Sequence, residues 1–191
     1  MRHLIFASKN KGKIFEVSKI LGKQDFDIVS LLGIDLPDII ESGSTFEENA
    51  KIKAETVFNN LEIPTIADDS GLVVEQLDGR PGVYSARYSG EGATDKENNE
   101  KLLLELRNFP GKHKAKYVCV AVYYDGKNYF SAYGEIHGEI IKEGKGNNGF
   151  GYDPLFVPDG YKKTMAQLTI EEKNKISHRA IAFNELKKLI K

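Results

Sequence analysis

Ala115-Lys116-Tyr117-Val118-Cys119-Val120-Ala121-Val122-Tyr123-Tyr124, then Asp125-Gly126-Lys127-Asn128, then Tyr129 through Ile141, is the stretch that decides what kind of sheet this chain builds. Both long runs are rich in β-branched and aromatic residues, and Asp125-Gly126 between them is a turn signal, so the stretch reads as two strands joined in a hairpin. Hairpin strands are antiparallel, so a sheet that contains them cannot be purely parallel. Cys119 lies in the middle of the first run and reads as a buried, inert strand residue.

Toward the N-terminus, Leu4-Ile5-Phe6-Ala7 reads as a short buried strand and Ser8 to Lys13 as a polar loop. Ile14, Val17 and Leu21 then recur at helical spacing. Phe26 to Val29 is a second strand, and Gly33 to Gly43, with Pro37, is irregular. Thr45 and Glu48 form a capping-box signal ahead of the apolar stripe Phe46, Ala50, Ala54 and Val57. Pro64 to Ala67 leads into Asp68-Asp69-Ser70-Gly71, read as a turn at a strand end, and Leu72-Val73-Val74 resumes an extended pattern. A glycine-rich segment spans Asp78 to Gly92, and Thr94 with Glu97 opens a helix through Leu102, Leu103 and Leu106. On the C-terminal side, Gly144 to Pro158 is a second glycine-rich stretch. Thr169 with Glu172 repeats the capping signal, and Ser177 caps a last helix through Leu186, Leu189 and Ile190. The expected fold is α/β: a mixed β-sheet flanked by helices, in a single domain over residues 1–191.

Bulk properties narrow the function classes. The 191 residues suit one ordinary domain, and 40% apolar content is enough for a core. A net charge of −1 leaves no basic excess to attract nucleic acid. The single cysteine excludes an internal disulfide and a cysteine zinc cluster. The apolar run at the N-terminus is too short for a signal peptide or a membrane span. A soluble, cytoplasmic protein without nucleic-acid or membrane partners is expected.

One motif misleads. Gly144-Lys145-Gly146-Asn147-Asn148-Gly149 matches GxGxxG, but a dinucleotide site needs a helix starting at that loop. Phe150-Gly151-Tyr152-Asp153-Pro154 follows instead, which disfavours a helix. The P-loop pattern fails as well, because the earlier glycine and the magnesium-binding hydroxyl are missing.

Five constellations are suited to chemistry. The Ser8 to Lys13 loop offers helix N-terminal N–H groups, neutral donors at Ser8 and Asn10, and charge at Lys9, Lys11 and Lys13; that suits a polyphosphate. Asp68 and Asp69 are adjacent carboxylates, costly unless a cation or donors offset them. Their side chains alternate in direction, so one faces a given site and the other holds the loop by local hydrogen bonds. Asn49 and Lys53 share a helix face beside the apolar stripe, with Lys53 aimed either outward or into a phosphate cleft. Lys173, Ser177, His178 and Arg179 bring several donors to one helix start. Phe150 and Tyr152 flank Gly151 as a platform for a base, with Asp153 free to accept from a ring N–H. Each has a plain structural alternative: a solvated turn, a snorkelling lysine, core aromatics.

Taken in order, six strings resemble the inosine triphosphate pyrophosphatase family, the non-standard purine NTP pyrophosphatases. They are Ala7 to Lys13, Glu41 to Ala50, Ala67 to Leu72, Pro81 to Tyr88, Gly149 to Pro154, and Ile176 to Arg179. The resemblance implies an elongated mixed sheet in two lobes with a central active-site cleft, and a homodimer. It also implies hydrolysis of ITP, dITP and XTP to the monophosphate and pyrophosphate, which keeps these bases out of DNA and RNA. By the same resemblance, Ser8, Lys9, Asn10, Lys11, Gly12 and Lys13 hold the triphosphate, and Lys53 is a further phosphate-side residue. Glu41 and Asp69 look like the carboxylates for Mg2+, for which Mn2+ could substitute. Asp69 also looks like the general base, and Ser70 contacts substrate. Phe150, Gly151, Tyr152, Asp153, Lys173, His178 and Arg179 look like the nucleotide-binding set, with donors that favour a 6-oxo base over adenine. The chain departs from many relatives at Ser8-Lys9-Asn10, where they carry Thr-Gly-Asn, and at Asn147-Asn148. A pyrophosphatase for modified pyrimidine nucleotides, a non-catalytic nucleotide binder and a phosphatase releasing orthophosphate are the alternatives.

Overall fold

Residues 2–22 and 25–190 are described by the structure, a computed structural model. The expected opening holds: strand β1 (Arg2–Phe6), a loop, and helix α1 (Lys11–Leu21). β2 (Phe26–Ser30) and α2 (Phe46–Leu61) follow. Thr45 Oγ1 accepts from Glu48 N–H at 3.1 Å while Glu48 Oε2 accepts from Thr45 N–H at 3.1 Å, closing the expected capping box. Next come β3 (Thr65–Val74), a 3-10 helix at Gly82–Arg87 and α3 (Asp95–Leu106). The hairpin strands are β4 (His113–Tyr124) and β5 (Tyr129–Ile140). β6 (Phe156–Pro158), α4 (Ile170–Ile176) and α5 (His178–Leu189) complete the order.

Among the described residues the strands form one sheet in the order β2-β1-β3-β4-β5-β6. β1 runs parallel to both β2 and β3, and β6 runs antiparallel to β5. The sheet is therefore mixed and the class α/β, as the hairpin required. No helix is long and apolar enough to cross a membrane, among the described residues.

Two details correct the reading from sequence. Asp68-Asp69-Ser70-Gly71 is no turn; it lies inside the ten-residue strand β3. Strand pairing continues through the aspartates because each finds a cation on its own face of the sheet, as set out below. The second glycine-rich stretch also holds β6, which approaches closely because Gly138 carries no side chain: a Cβ there would lie 2.2 Å from Val157 O.

The chain forms two compact units, each assembled from separate segments. The first comprises Met1–Asp69, Cys119–Gly134 and His178–Lys191; the second, Ser70–Val118 and Glu135–Ser177. In the first unit, side-chain alternation along the strands sorts the core into two clusters. Leu4, Phe6, Ile66, Cys119 and Ala121 pack with Val17 and Leu21 of α1 and with Ala182, Phe183 and Leu186 of α5. Ile5, Ala7, Ala67, Val120 and Val122 pack with Ala50, Ala54 and Val57 of α2. Gly134 on β5 lets α5 come close, since a Cβ there would lie 2.2 Å from His178 O. In the second unit, Leu72 and Val74 pack with Leu102 and Leu106 of α3 and with Tyr117, Tyr152 and Phe156.

Candidate active site

The strand period fixes where the two aspartates go. Ile66 faces α1 and α5, so Asp68, two residues on, faces them too; Ala67 faces α2, and so does Asp69. Both carboxylates are buried, at 2% and 5% exposure, and need partners.

Asp68 receives two cations. Lys13 Nζ of α1 lies 3.1 Å from its Oδ2, and Arg179 Nε of α5 lies 3.2 Å from the same oxygen. Arg179 Nη1 reaches Glu16 Oε2 at 2.5 Å, so a fully buried guanidinium bridges two carboxylates. Burial alone would push Asp68 up, but Lys13 and Arg179 outweigh it and hold its carboxyl well below the usual carboxylate range. Asp68 and Glu16 in turn outweigh burial at Arg179 and hold it firmly charged. The local hydrogen bonds expected of the second aspartate are replaced by ion pairs with distant helices. Cys119 Sγ lies 3.8 Å from Asp68 Oδ2, and burial followed by that charge pushes the thiol up, which fits an inert cysteine.

Asp69 is held by α2. Asn49 Nδ2 donates to its Oδ2 at 3.2 Å, and Lys53 Nζ lies 3.4 Å from its Oδ1. Asn49 and Lys53 are one turn apart, so the helix presents both to the same carboxylate. Lys53 Nζ also lies 3.1 Å from Glu41 Oε1, so Lys53 points inward and links Glu41 to Asp69. Burial raises Asp69 above the ordinary carboxylate value, and Lys53 and Lys13 only partly oppose this. Burial would lower Lys53, but Asp69 and Glu41 prevail and keep it an ammonium. Two neighbouring aspartates thus differ: Asp68 is a fixed anion, and Asp69 accepts a proton more readily.

At the opening loop, Asn10 caps α1 by accepting from Lys13 N–H at 3.0 Å, and Ser8 Oγ accepts from Asn10 N–H at 3.2 Å. Lys9 and Lys11 are exposed, and Gly12 lies in the first turn of the helix. Of the donors at the last helix start, His178 and Arg179 are buried at the head of α5.

The second unit holds the remaining candidates. The Lys173 ammonium is bonded to Asp153 Oδ2, which also accepts from Phe150 N–H at 3.0 Å. Lys173 Nζ sits 5.0 Å from the Phe150 ring centroid, a cation–π contact. Asp153 is therefore already engaged, not free. Tyr152 is a core residue whose hydroxyl donates to Ser85 O at 2.9 Å, so of the two aromatics Phe150 is the more accessible. Gly151 N–H is taken by Asp95 Oδ2 at 2.7 Å. Ser70 is half-buried on β3.

Glu16 and Asp95 do work that the sequence reading left unassigned, whereas Asn49, read only as sharing a face with Lys53, does join it on Asp69. Glu16 left one faint signal, a carboxylate next to Val17 on the buried stripe. Asp95 in a first turn reads as ordinary helix-end charge, and nothing local reveals its reach to Gly151.

The groups in the first unit suit a cation and a polyanion. Glu16, Glu41, Asp68 and Asp69 face Lys13, Lys53 and Arg179, leaving one surplus negative charge. Asp68 Oδ1 is buried without a hydrogen-bond partner. Glu41 and Asp69 themselves offer carboxylate oxygens, which suit a hard divalent cation. No group of three or more ligating side chains occurs among the described residues. A magnesium ion, which keeps several waters and takes substrate phosphates as ligands, needs no more than two carboxylates.

Comparison with known proteins matches residues 4–189 to the Ham1 family. A dITP/XTP pyrophosphatase of Halalkalibacterium halodurans is 48% identical over 191 residues, spanning 98% of each chain. A Ham1 protein structure from Coxiella burnetii superposes with a TM-score of 0.90 at 37% identity, covering 100% of this chain and 98% of the other. That of the Staphylococcus aureus Ham1 protein gives 0.87 at 42% identity, with 99% and 98% covered. The resemblance read from the six strings therefore extends over nearly the whole chain.

Proposed function

This chain belongs to the Ham1 family, and on that premise we propose that it is a nucleoside-triphosphate pyrophosphatase hydrolysing dITP, ITP and XTP to the monophosphate and pyrophosphate. The observation that carries the chemistry is the convergence of Glu41 and Asp69 on a single cation, Lys53, at 3.1 and 3.4 Å. A buried and a half-buried carboxylate that meet at one positive charge fit a divalent cation, and Glu41 and Asp69 would hold Mg2+, or Mn2+ in its place. Held by these two carboxylates, the ion would supply positive charge to offset that of the triphosphate.

The protein's own groups do the rest. Asp69, raised by burial, takes the proton of the attacking water; an ordinary aspartate, near ~3.9, would be a poorer base at neutral pH. Asn49 and Lys53 fix both of its oxygens, so the carboxylate is oriented before substrate arrives. Ser8 to Lys13, with Lys53, serve the triphosphate at the head of α1. Ser70 contacts substrate beside Asp69. The Phe150–Asp153 loop, Lys173 and His178 serve the nucleoside, with Phe150 stacking and the donors favouring a 6-oxo base. Arg179 contributes by holding Asp68, and through it Lys13, in place. A cytoplasmic homodimer completes the proposal.

A product-resolved assay on dITP, ITP, XTP, GTP, dUTP and ATP, with and without Mg2+, is the test. Pyrophosphate and monophosphate should form from dITP, ITP and XTP only with the metal, and ATP should be at least about tenfold slower, as one unmet polar group implies. Release of orthophosphate, or equal turnover of ATP and ITP, would overturn the reading. Asp69→Asn should nearly abolish turnover.

A further inference from the structure

Lys53 stands where two acids meet. Its ammonium touches Glu41 Oε1 and Asp69 Oδ1, and its side chain is only 8% exposed. The second oxygen of Asp69 is taken by Asn49 Nδ2, while Asn49 Oδ1 accepts from Gly43 N–H at 2.8 Å. Gly43 has to be glycine for this, because a Cβ there would come within 2.7 Å of Asn49 Oδ1. The arrangement is thus braced from both sides, and one ammonium is shared by the two carboxylates, offsetting one of their two charges.

A divalent cation shared by the same two carboxylates would meet that ammonium at close range in a buried setting, where like charges repel strongly. The two cannot both remain. A buried ammonium leaves two acids only if another anion receives it. The phosphates of a triphosphate supply that anion, and they also supply the remaining ligands of a hard cation.

We infer that Lys53 is the resident counter-cation of this site and makes divalent-metal binding conditional on a polyphosphate. The inference rests on the reading that Glu41 and Asp69 hold the metal. Lys53 passes to the phosphate as the metal takes the carboxylates, so metal and polyphosphate bind cooperatively, each strengthening the other. The free protein then holds neither tightly.

The test is metal binding without turnover. Mn2+ is titrated into nucleotide-free wild type, Lys53→Gln and Lys53→Arg, with free Mn2+ followed by electron paramagnetic resonance. Lys53→Gln should bind Mn2+ at least about tenfold more tightly than wild type, and Lys53→Arg, which keeps the charge, should stay weak. In thermal melts, Mn2+ alone should stabilise Lys53→Gln but not wild type, whereas Mn2+ with inorganic pyrophosphate should stabilise wild type. If Lys53→Gln is unfolded in metal-free buffer, Mn2+ should restore its circular dichroism and cooperative melt. Equal or weaker Mn2+ binding by Lys53→Gln, or no rescue by Mn2+, overturns the inference. Metal-dependent turnover by wild type alongside that result would leave the pyrophosphatase reading standing. Turnover that ignores metal would sink both the metal site and this inference.

Discussion

Asp68 and Asp69 are chemically identical, adjacent and both buried, yet their environments push them in opposite directions, and stability should follow. Asp68 is held below its ordinary value, so its contribution is fully present above the unfolded value of ~3.9 and fades as pH falls through the folded one. Asp68→Asn removes the carboxylate that Lys13 and Arg179 share, leaving Arg179 its pair with Glu16, and should cost about 3–5 kcal/mol at neutral pH, the usual cost of breaking a buried pair. The gap to wild type, measured by urea denaturation, should narrow below about pH 4. Asp69 is raised, so its ionisation works against folding as pH rises through the folded value. Asp69→Asn should therefore melt no lower than wild type while losing turnover; a melt as depressed as that of Asp68→Asn would contradict this assignment. The sequence carried the alternation that separates the two side chains and, by resemblance, the choice of Asp69. It did not carry the partners of Asp68, because Arg179 lies 111 residues away and its pairing is a product of tertiary packing.

At the scale of elements, caps and periodicity were legible because they are local. Thr45 with Glu48, Thr94 with Glu97 and Thr169 with Glu172 all close as read. The Asp125 turn is equally local: its Oδ1 accepts from Lys127 and Asn128 N–H groups at 3.0 and 2.7 Å. The Asn128 side chain, whose Nδ2 donates to Asp125 Oδ2 at 3.0 Å, and then these backbone bonds pull its carboxyl down to about 2, which carboxylate chemical shifts followed through an acid titration should show. The strand through Asp68 and Asp69 was not legible, since acids, serine and glycine disfavour strands and only distant cations make one there. Close approaches were hidden as well. Gly134 has an ordinary strand setting, yet α5 leaves no room for a methyl group. Gly134→Ala should cost about 1–3 kcal/mol as β5 and α5 are forced apart, read as a lowered denaturation midpoint with an unchanged slope.

For the molecule as a whole, chain order and spatial grouping disagree. The first unit takes its last segment, His178–Lys191, from the far end of the sequence. That segment supplies Phe183 and Leu186 to the core, packs α5 on α1, and brings Arg179 to Glu16 and Asp68. A chain ending at residue 177 should therefore lose its cooperative thermal transition, even though β1, α1, β2 and α2 are all present; a sharp melt in that truncation would contradict the arrangement. Synthesis on the ribosome meets the same constraint. β1 is made before α5, so their unit cannot close while α5 is still inside the exit tunnel. Glu16 and Asp68 lack their shared guanidinium until Arg179 has been made. Closure has to wait for that segment, an interval in which incompletely packed chains are prone to aggregate.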